Sequence, residues 1–506
     1  MPPNIILFMP DQWRGEALGC VGNPVVKTPN CDAFAAQGVA FSNAFTQNGV
    51  CTPARCSLAT GWYPHVNGHR SMHHFLRRHE PNLMRYLKDA GYFVWWGGKN
   101  DLIPREDWDL VCDARVEGRG TRGPEKPAPA FGDRHYYTFY RGCVSEQPMH
   151  LGDDDVVDHA VDFLGRRQDK PFFMWINQGF PHPPYFVERE WFDLYSPDAL
   201  PPMAPAVLER KPGLLDAIRR KTGCDKLTDE EFRLIKATYY AMVSRTDRNF
   251  GRVLGAVKRA GLWDSTAIFM TSDHGDFAGD YRLVEKTQNT FEDVLTRVPL
   301  LARVPGCREN RDAPHFPSEG DAGSRKIGSV PVFPGMVESM DLFATIMEVA
   351  GVPARHTHFA KSLLPLLRGE TNQHREFACC EGGGRVEEAH THEFQGSHTP
   401  DHIYHPRITI QNTQPELHGK AVMLRTREWK YVRRLYDTDE LYDLTRDPDE
   451  LVNLIDPSAS LGASDPRCDS VVRSMREKML TWLLDTGDAV PFQWDKRSPT
   501  ERIWEP

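Results

Sequence analysis

Four short apolar runs constrain the fold of this chain more than any other feature: Ile5 to Met9, Tyr92 to Trp96, Pro171 to Asn177 and Ala267 to Ser272. Each is the length of a strand, and longer amphipathic stretches lie between them, which is the pattern of strands joined by crossover helices in a parallel sheet. Asn82 to Ala90 places apolar residues at helical spacing and stops at Gly91, and about Phe232 to Ala260 carries a longer helical pattern. A chain of 506 residues exceeds the size at which one core keeps growing, so a large domain with a smaller companion is expected. The predicted class is α/β: a large, mostly parallel central sheet sandwiched by helices over residues 1–375. Past the helix expected at Met340 to Ile346 the periodicity changes, and residues 421–444 read as short strands separated by turns. These predict a C-terminal domain, residues 376–506, built on a small antiparallel sheet. Pro104 to Met149, rich in Gly, Pro and charge, reads as an insertion or active-site loop outside the core.

Charge excludes one class of partner. The formal net charge is -9, so there is no basic excess to neutralise a nucleic acid, and an anionic substrate has to be met by a few local cations. No apolar run reaches the roughly 20 residues of a membrane-spanning helix, so no membrane partner is expected. The start lacks the basic region and cleavage site of a secretory leader. Eleven cysteines without framework spacing then suggest reduced thiols and a cytoplasmic protein.

Candidate chemistry lies at strand ends. A carboxylate directly after a strand stands at the carboxyl edge of a parallel sheet, where open α/β folds place their ligands. Asp11 and Gln12 follow the first strand, and Asp273 and His274 follow the run that ends at Ser272, so two strand-end pairs can converge on one ion. Between them in sequence lies Cys51-Thr52-Pro53-Ala54-Arg55-Cys56-Ser57-Leu58-Ala59-Thr60-Gly61, with a cysteine, a proline, an arginine and a Thr-Gly pair at set offsets. At ordinary residue frequencies those five identities coincide by accident on the order of once in ten thousand chains of this length.

This segment resembles the signature of the type I sulfatases, within the alkaline phosphatase superfamily. The resemblance continues through Gly98-Lys99, Pro181-His182-Pro183-Pro184, Thr271-Ser272-Asp273-His274-Gly275, Lys286, Arg297-Val298-Pro299-Leu300 and Glu440-Leu441-Tyr442-Asp443-Leu444. It implies that Cys51 is oxidised by a formylglycine-generating enzyme and that one hydroxyl of the hydrated aldehyde attacks the sulfate ester. It further implies a covalent sulfate ester, which collapses by loss of a proton from the second hydroxyl. Asp11, Gln12, Asp273 and His274, with the modified Cys51, become the ligands of one divalent metal. The mostly oxygen donor set favours calcium, with manganese the alternative. Arg55 becomes the partner of the nucleophile, Lys99 and Lys286 the sulfate-binding cations, and His182 the group that protonates or binds the leaving oxygen.

Three departures from the commonest pattern stand out. Asp11-Gln12 and Asp273-His274 replace Asp-Asp and Asp-Asn, a variant similar to the choline sulfatase and phosphonate monoester hydrolase branches. Asp101 stands where many members have histidine, whose role then passes elsewhere, with His65 and His69 both open as alternatives. The function expected is arylsulfatase-like hydrolysis of a small anionic ester. Alternatives are a phosphonate monoester or phosphodiester hydrolase with the same nucleophile, and a non-catalytic metal-binding homologue. The histidine-rich run 381–405 reads as a mobile, solvated loop, able to affect substrate preference if it folds over the site. The aromatic C-terminal tail is expected to dock on a partner subunit in a homo-oligomer, with a dimer favoured.

Overall fold

The computed structural model describes residues 2–207, 209–307, 330–393, 399–455 and 466–490. In chain order its strands are β1 (Asn4–Asp11), β2 (Val39–Phe45), β3 (Phe93–Gly97), β4 (Ala114–Val116), β5 (Tyr140–Ser145), β6 (Phe172–Pro181), β7 (Tyr185–Glu188), β8 (Thr266–Thr271), β9 (Arg297–Val298), β10 (Leu300–Arg303), β11 (Val332–Glu338), β12 (Ala378–Gly382), β13 (Ala421–Arg425), β14 (Trp429–Arg434) and β15 (Glu440–Asp443). Nine of them form one sheet in the order β11-β2-β10-β8-β1-β6-β3-β4, with β9 paired to β2. The strands β8, β1, β6, β3 and β4 are mutually parallel, whereas β10 runs antiparallel between β8 and β2.

Both faces of this sheet are buried, which is why its central strands read as continuous apolar runs rather than alternating ones. Along β1, Ile5, Leu7 and Met9 face one core, while Ile6 and Phe8 face the other. The first core is completed by the helices Cys51–Thr60, Leu83–Asp89 and Asp341–Ala350, the second by Gly152–Leu164 and Asp229–Arg259. Side chains such as Phe8, Phe173 and Phe269 lose all exposure, each burial contributing about 1.5–3 kcal/mol. The 31-residue helix Asp229–Arg259 starts on a capping box in which Thr228 and Glu231 each accept the other's backbone N–H.

The predicted α/β class is the observed one. Two sequence expectations need correction. Residues 104–149 are not wholly outside the core: Trp108 and Val111 are buried, and Ala114–Val116 extends the main sheet along Trp95–Gly97. Nor is 381–405 simply a solvated loop, because Glu381 and Gly382 belong to β12, and Thr391 and Glu393 are buried. The physical reason is that Glu393 Oε2 accepts the Gln288 backbone N–H, fastening the run to the segment that carries Lys286.

The antiparallel sheet β12-β13-β14-β15 packs Ala378, Cys380, Met423 and Val432 against Phe45, Phe291 and Met336 of the main body. The helix Pro466–Asp485 reaches back toward the Cys51–Thr60 helix: Trp482 packs edge-on to Tyr63 at 4.9 Å, and the Thr486 carbonyl lies 2.8 Å from His65 Nε2. Among the described residues no helix is long and apolar enough to cross a membrane. The tail aromatics Phe492, Trp494 and Trp504, and His398 of the histidine-rich run, lie outside the described residues.

Candidate active site

Adjacency of β1 and β8 creates the centre of the site. The two strands run parallel with Phe8 beside Met270, so Asp11 and Gln12 emerge next to Asp273 and His274 at the same sheet edge. Gln12 adopts φ 69°, an uncommon conformation for a residue with a side chain. Its N–H donates to Asp273 Oδ1 at 3.0 Å, and its carbonyl accepts the Tyr239 hydroxyl at 2.9 Å, which hold that conformation.

Cys51 is the first residue of the Cys51–Thr60 helix, whose ten residues are all buried, and its side chain lies at the helix N-terminus, where the macrodipole favours negative charge. Gly61, at φ 71°, ends that helix by donating its N–H to the Ser57 carbonyl. Cys51 Sγ is 3.2 Å from His274 Nε2, 3.6 Å from Lys99 Nζ and 3.8 Å from Asp11 Oδ1. Burial, reinforced by Asp11, pushes the thiol pKa well up, so the encoded side chain is a neutral thiol rather than a thiolate.

Arg55, one turn along the helix, spans the gap between strands. Its Nε donates to Asp273 Oδ2 and its Nη2 to Asp11 Oδ2, each at 2.9 Å, and its Nη1 donates to Asn177 Oδ1 at 2.8 Å. Asp11 ends β1, Asn177 lies within β6 and Asp273 follows β8, so one guanidinium joins all three strands. Lys99 is delivered by a tight turn after β3: Gly98 has φ 86°, and a Cβ there would lie 2.0 Å from the Asn177 carbonyl oxygen. Its Nζ is 2.7 Å from Asp11 Oδ2 and 3.1 Å from Asp101 Oδ2. Burial opposes the charge on Asp11, but Lys99 and Arg55 outweigh it and hold the carboxyl well below its usual range.

On the opposite side His182 follows β6, with Nδ1 2.6 Å from the Pro183 carbonyl oxygen and Nε2 2.8 Å from Lys286 Nζ. Burial, with Lys286 and Lys99 nearby, pushes its pKa well down, so the ring is neutral, donating from Nδ1 and accepting the lysine proton at Nε2. Lys286 also donates to Glu285 Oε1 at 2.7 Å. Its burial opposes its charge, but Glu285 overcomes this and raises its pKa.

One ligand atom from each of Asp11, Cys51, Asp273 and His274 lies within 4.8 Å of the others. His274 Nδ1 lies 2.9 Å from the Gly275 carbonyl oxygen, which places its proton there and leaves the Nε2 lone pair turned toward Cys51. Gln12 is fully buried, its Nε2 donates to Asp276 Oδ2 at 2.6 Å, and its Oε1 has no donor. Two carboxylates, an imidazole nitrogen and an orphaned carbonyl oxygen form a donor set that fits a hard or borderline divalent cation.

All the sequence-predicted residues, Asp11, Gln12, Cys51, Arg55, Lys99, His182, Asp273, His274 and Lys286, thus gather at one sheet edge. His65 and His69 do not join them at Cys51. His65 uses both ring nitrogens on Glu381 and Thr486, and His69 uses its own on His74 and Glu80. Sequence reasoning missed Asn177, Asp276, Glu285, Glu393 and Arg407. Asn177 lies inside β6, the other neighbour of β1, and Asp276 lies beyond His274 in the segment after β8, so neither directly follows a strand. Glu393 and Arg407 come from 381–410 and carry no strand-end signal either: Arg407 Nη2 is 3.4 Å from Glu285 Oε2, and burial next to Glu285 pushes Glu393 up to about 7.

A parallel-centred α/β sheet carrying this cluster at its carboxyl edge agrees with the hydrolase of the alkaline phosphatase superfamily that the sequence motifs lead one to expect. The sulfatase family model matches residues 3–352, and the chain belongs to the sulfatase family. Among curated proteins it is 26% identical to a multifunctional alkaline phosphatase superfamily protein, PehA, of Trinickia caryophylli, with 96% of each chain covered. It is 25% identical to arylsulfatase K of Bos taurus, covering 89% of this chain and 78% of that one. Among solved structures, a phosphonate monoester hydrolase of Agrobacterium radiobacter shares the fold with a TM-score of 0.72 at 23% identity, with 96% of each chain covered.

Proposed function

We propose that the protein hydrolyses sulfate monoesters of phenols or small alcohols, with a formylglycine made from Cys51 as nucleophile. The observation that supports this most directly is the pair of lysines on either side of Cys51: Lys99 3.6 Å from Sγ, and Lys286 buried on His182. Together they suit a compact anionic head group with several exposed oxygens, because fixed cations aimed at those oxygens stabilise charge that grows in the transition state. Cys51 has no exposed surface, so its oxidation by a formylglycine-generating enzyme has to precede folding.

Asp11, Gln12, Asp273 and His274 would hold the divalent cation, calcium being favoured by the oxygen-rich set. When bound, that ion supplies Lewis-acid polarisation of the ester and of the attacking hydroxyl. Arg55 fixes Asp11 and Asp273 in place. The leaving oxygen meets the Lys286–His182 pair, which carries one proton along its Nζ–Nε2 axis, and Glu285 keeps the lysine charged. Replacing Lys286 by alanine is therefore expected to depend on the leaving group. Turnover of an alkyl sulfate should fall about 10²–10⁴-fold, the usual contribution of a positioned proton donor, whereas nitrophenyl sulfate, whose phenolate leaves unaided, should lose far less. Equal losses on both esters would remove the pair from that role.

The decisive comparison is kcat/KM for nitrophenyl sulfate against nitrophenyl phenylphosphonate. A higher value for the sulfate is the expected result, and a clear preference for the phosphonate overturns the sulfatase reading in favour of a phosphonate monoester hydrolase.

A further inference from the structure

We propose that Asp276 is a positioning residue that decides which end of the Gln12 side chain faces the cation centre, and the proposal rests on that centre holding a divalent ion. A carboxylate at this position would offer oxygen whichever way it turned. An amide offers a carbonyl oxygen at one end and two N–H donors at the other, and only the oxygen binds a cation. Nothing in Gln12 itself selects the useful orientation.

Asp276 supplies the selection. It is fully buried, and its Oδ1 accepts two hydrogen bonds, from the Tyr185 hydroxyl at 2.7 Å and from the Ala278 N–H at 2.6 Å. Those donors leave Oδ2 as the atom that faces Gln12, and it accepts from Nε2 at 2.6 Å. With the nitrogen engaged there, Oε1 is the end left without a donor. The reverse orientation would set the amide oxygen against a carboxylate and present N–H groups to a cation, unfavourable on both sides. The Gln12 backbone is pinned at both its N–H and its carbonyl, so the side-chain amide is the part left to be oriented. Tyr185 in turn accepts the Glu285 N–H at 2.7 Å, so the same chain of hydrogen bonds links the cation side of the site to the residue beside Lys286.

The test inverts the donors and acceptors. In Asp276→Asn, Tyr185 and Ala278 still require an acceptor, so the new amide turns its oxygen to them and its nitrogen to Gln12. Gln12 must then turn its own oxygen away from the cation. In the double variant Asp276→Asn with Gln12→Glu, the Asn nitrogen meets a carboxylate that still has an oxygen for the ion. Protein stripped with a chelator is titrated calorimetrically with calcium and with manganese, and melting is recorded without cation. Asp276→Asn is expected to weaken cation binding about 10- to 100-fold, as losses of partners behind metal ligands do, with little change in cation-free melting. The double variant should return to within a few-fold of wild type. Wild-type affinity in Asp276→Asn, or a double variant no tighter than the single, overturns the assignment. If Asp276→Asn is too unstable to titrate, the double variant decides alone, since its hydrogen bonds are again complementary: near wild-type affinity supports the assignment, and a hundred-fold loss overturns it. If the wild-type protein takes up neither ion, the cation centre itself fails and the assignment falls with it, an outcome distinct from loss of the Asp276 role alone.

Discussion

Cys51→Ala protein is expected to show no sulfate ester hydrolysis above background, a loss on the order of 10⁶-fold, the scale seen when the nucleophile of a covalent mechanism is removed. No neighbour can substitute. His274 Nε2, Lys99 Nζ and Asp11 Oδ1 surround Cys51 Sγ at 3.2 to 3.8 Å, but the lysine is a cation and the other two are candidate metal ligands. The fold should survive, because alanine suits a helix and the change removes one sulfur atom from a helix anchored along its whole length. Initial rates with nitrophenyl sulfate and a melting curve check both halves of the expectation, and turnover above about one part in a thousand of wild type would exclude Cys51 as the nucleophile. Mass spectrometry of the Cys51 peptide from the native host should show an aldehyde in place of the thiol, and an intact thiol there would point to a non-catalytic homologue.

Asp273→Ala should lose both the cation and the activity. Asp273 does three things at once: it supplies a candidate ligand oxygen, it accepts the N–H groups of Gln12 and His274 on Oδ1, and it pairs with Arg55 through Oδ2. Removing it leaves a buried guanidinium with one carboxylate instead of two, a defect that costs about 3–5 kcal/mol when a buried ion pair loses a partner. The expected outcome is turnover reduced by at least about a thousandfold, no cation-dependent rise in melting temperature, and a lower cation-free melting temperature. Asp273→Asn separates these effects, since it keeps an acceptor for the two backbone N–H groups while removing the charge. Substantial residual turnover, or an undiminished cation-dependent stabilisation in Asp273→Ala, would refute the ligand role.

Much of the site was legible because its residues stand in local relations to strands and to one helix. Asp11 and Asp273 read as strand-end carboxylates from the apolar runs before them. Lys99, His182 and Lys286 were placed by resemblance to family motifs. Each is a short-range pattern, and short-range patterns survive in a linear sequence. Asn177, inside β6, and Asp276, beyond His274, do not directly follow a strand, so the strand-end rule does not single them out. Glu393 was read as part of a solvated histidine-rich run, since polarity alone does not show that one carboxylate of such a run accepts the Gln288 N–H in the interior.

By itself the sequence determined the α/β class, the signature segment at Cys51 and the two strand-end pairs, because strand length, helical spacing and fixed offsets along the chain are local quantities. Only the tertiary structure decided which strands are neighbours. Placing β8 beside β1 and β6 on its other side is what lets Arg55 hold Asp11, Asn177 and Asp273 together. It also engages His65 with Glu381 and Thr486 and His69 with His74 and Glu80, and it brings Asp276 against Gln12. The orientation of Gln12 depends on a contact between residues 264 positions apart, where hydrogen-bond complementarity in a buried, water-poor site selects one arrangement and no pattern in the intervening chain encodes it.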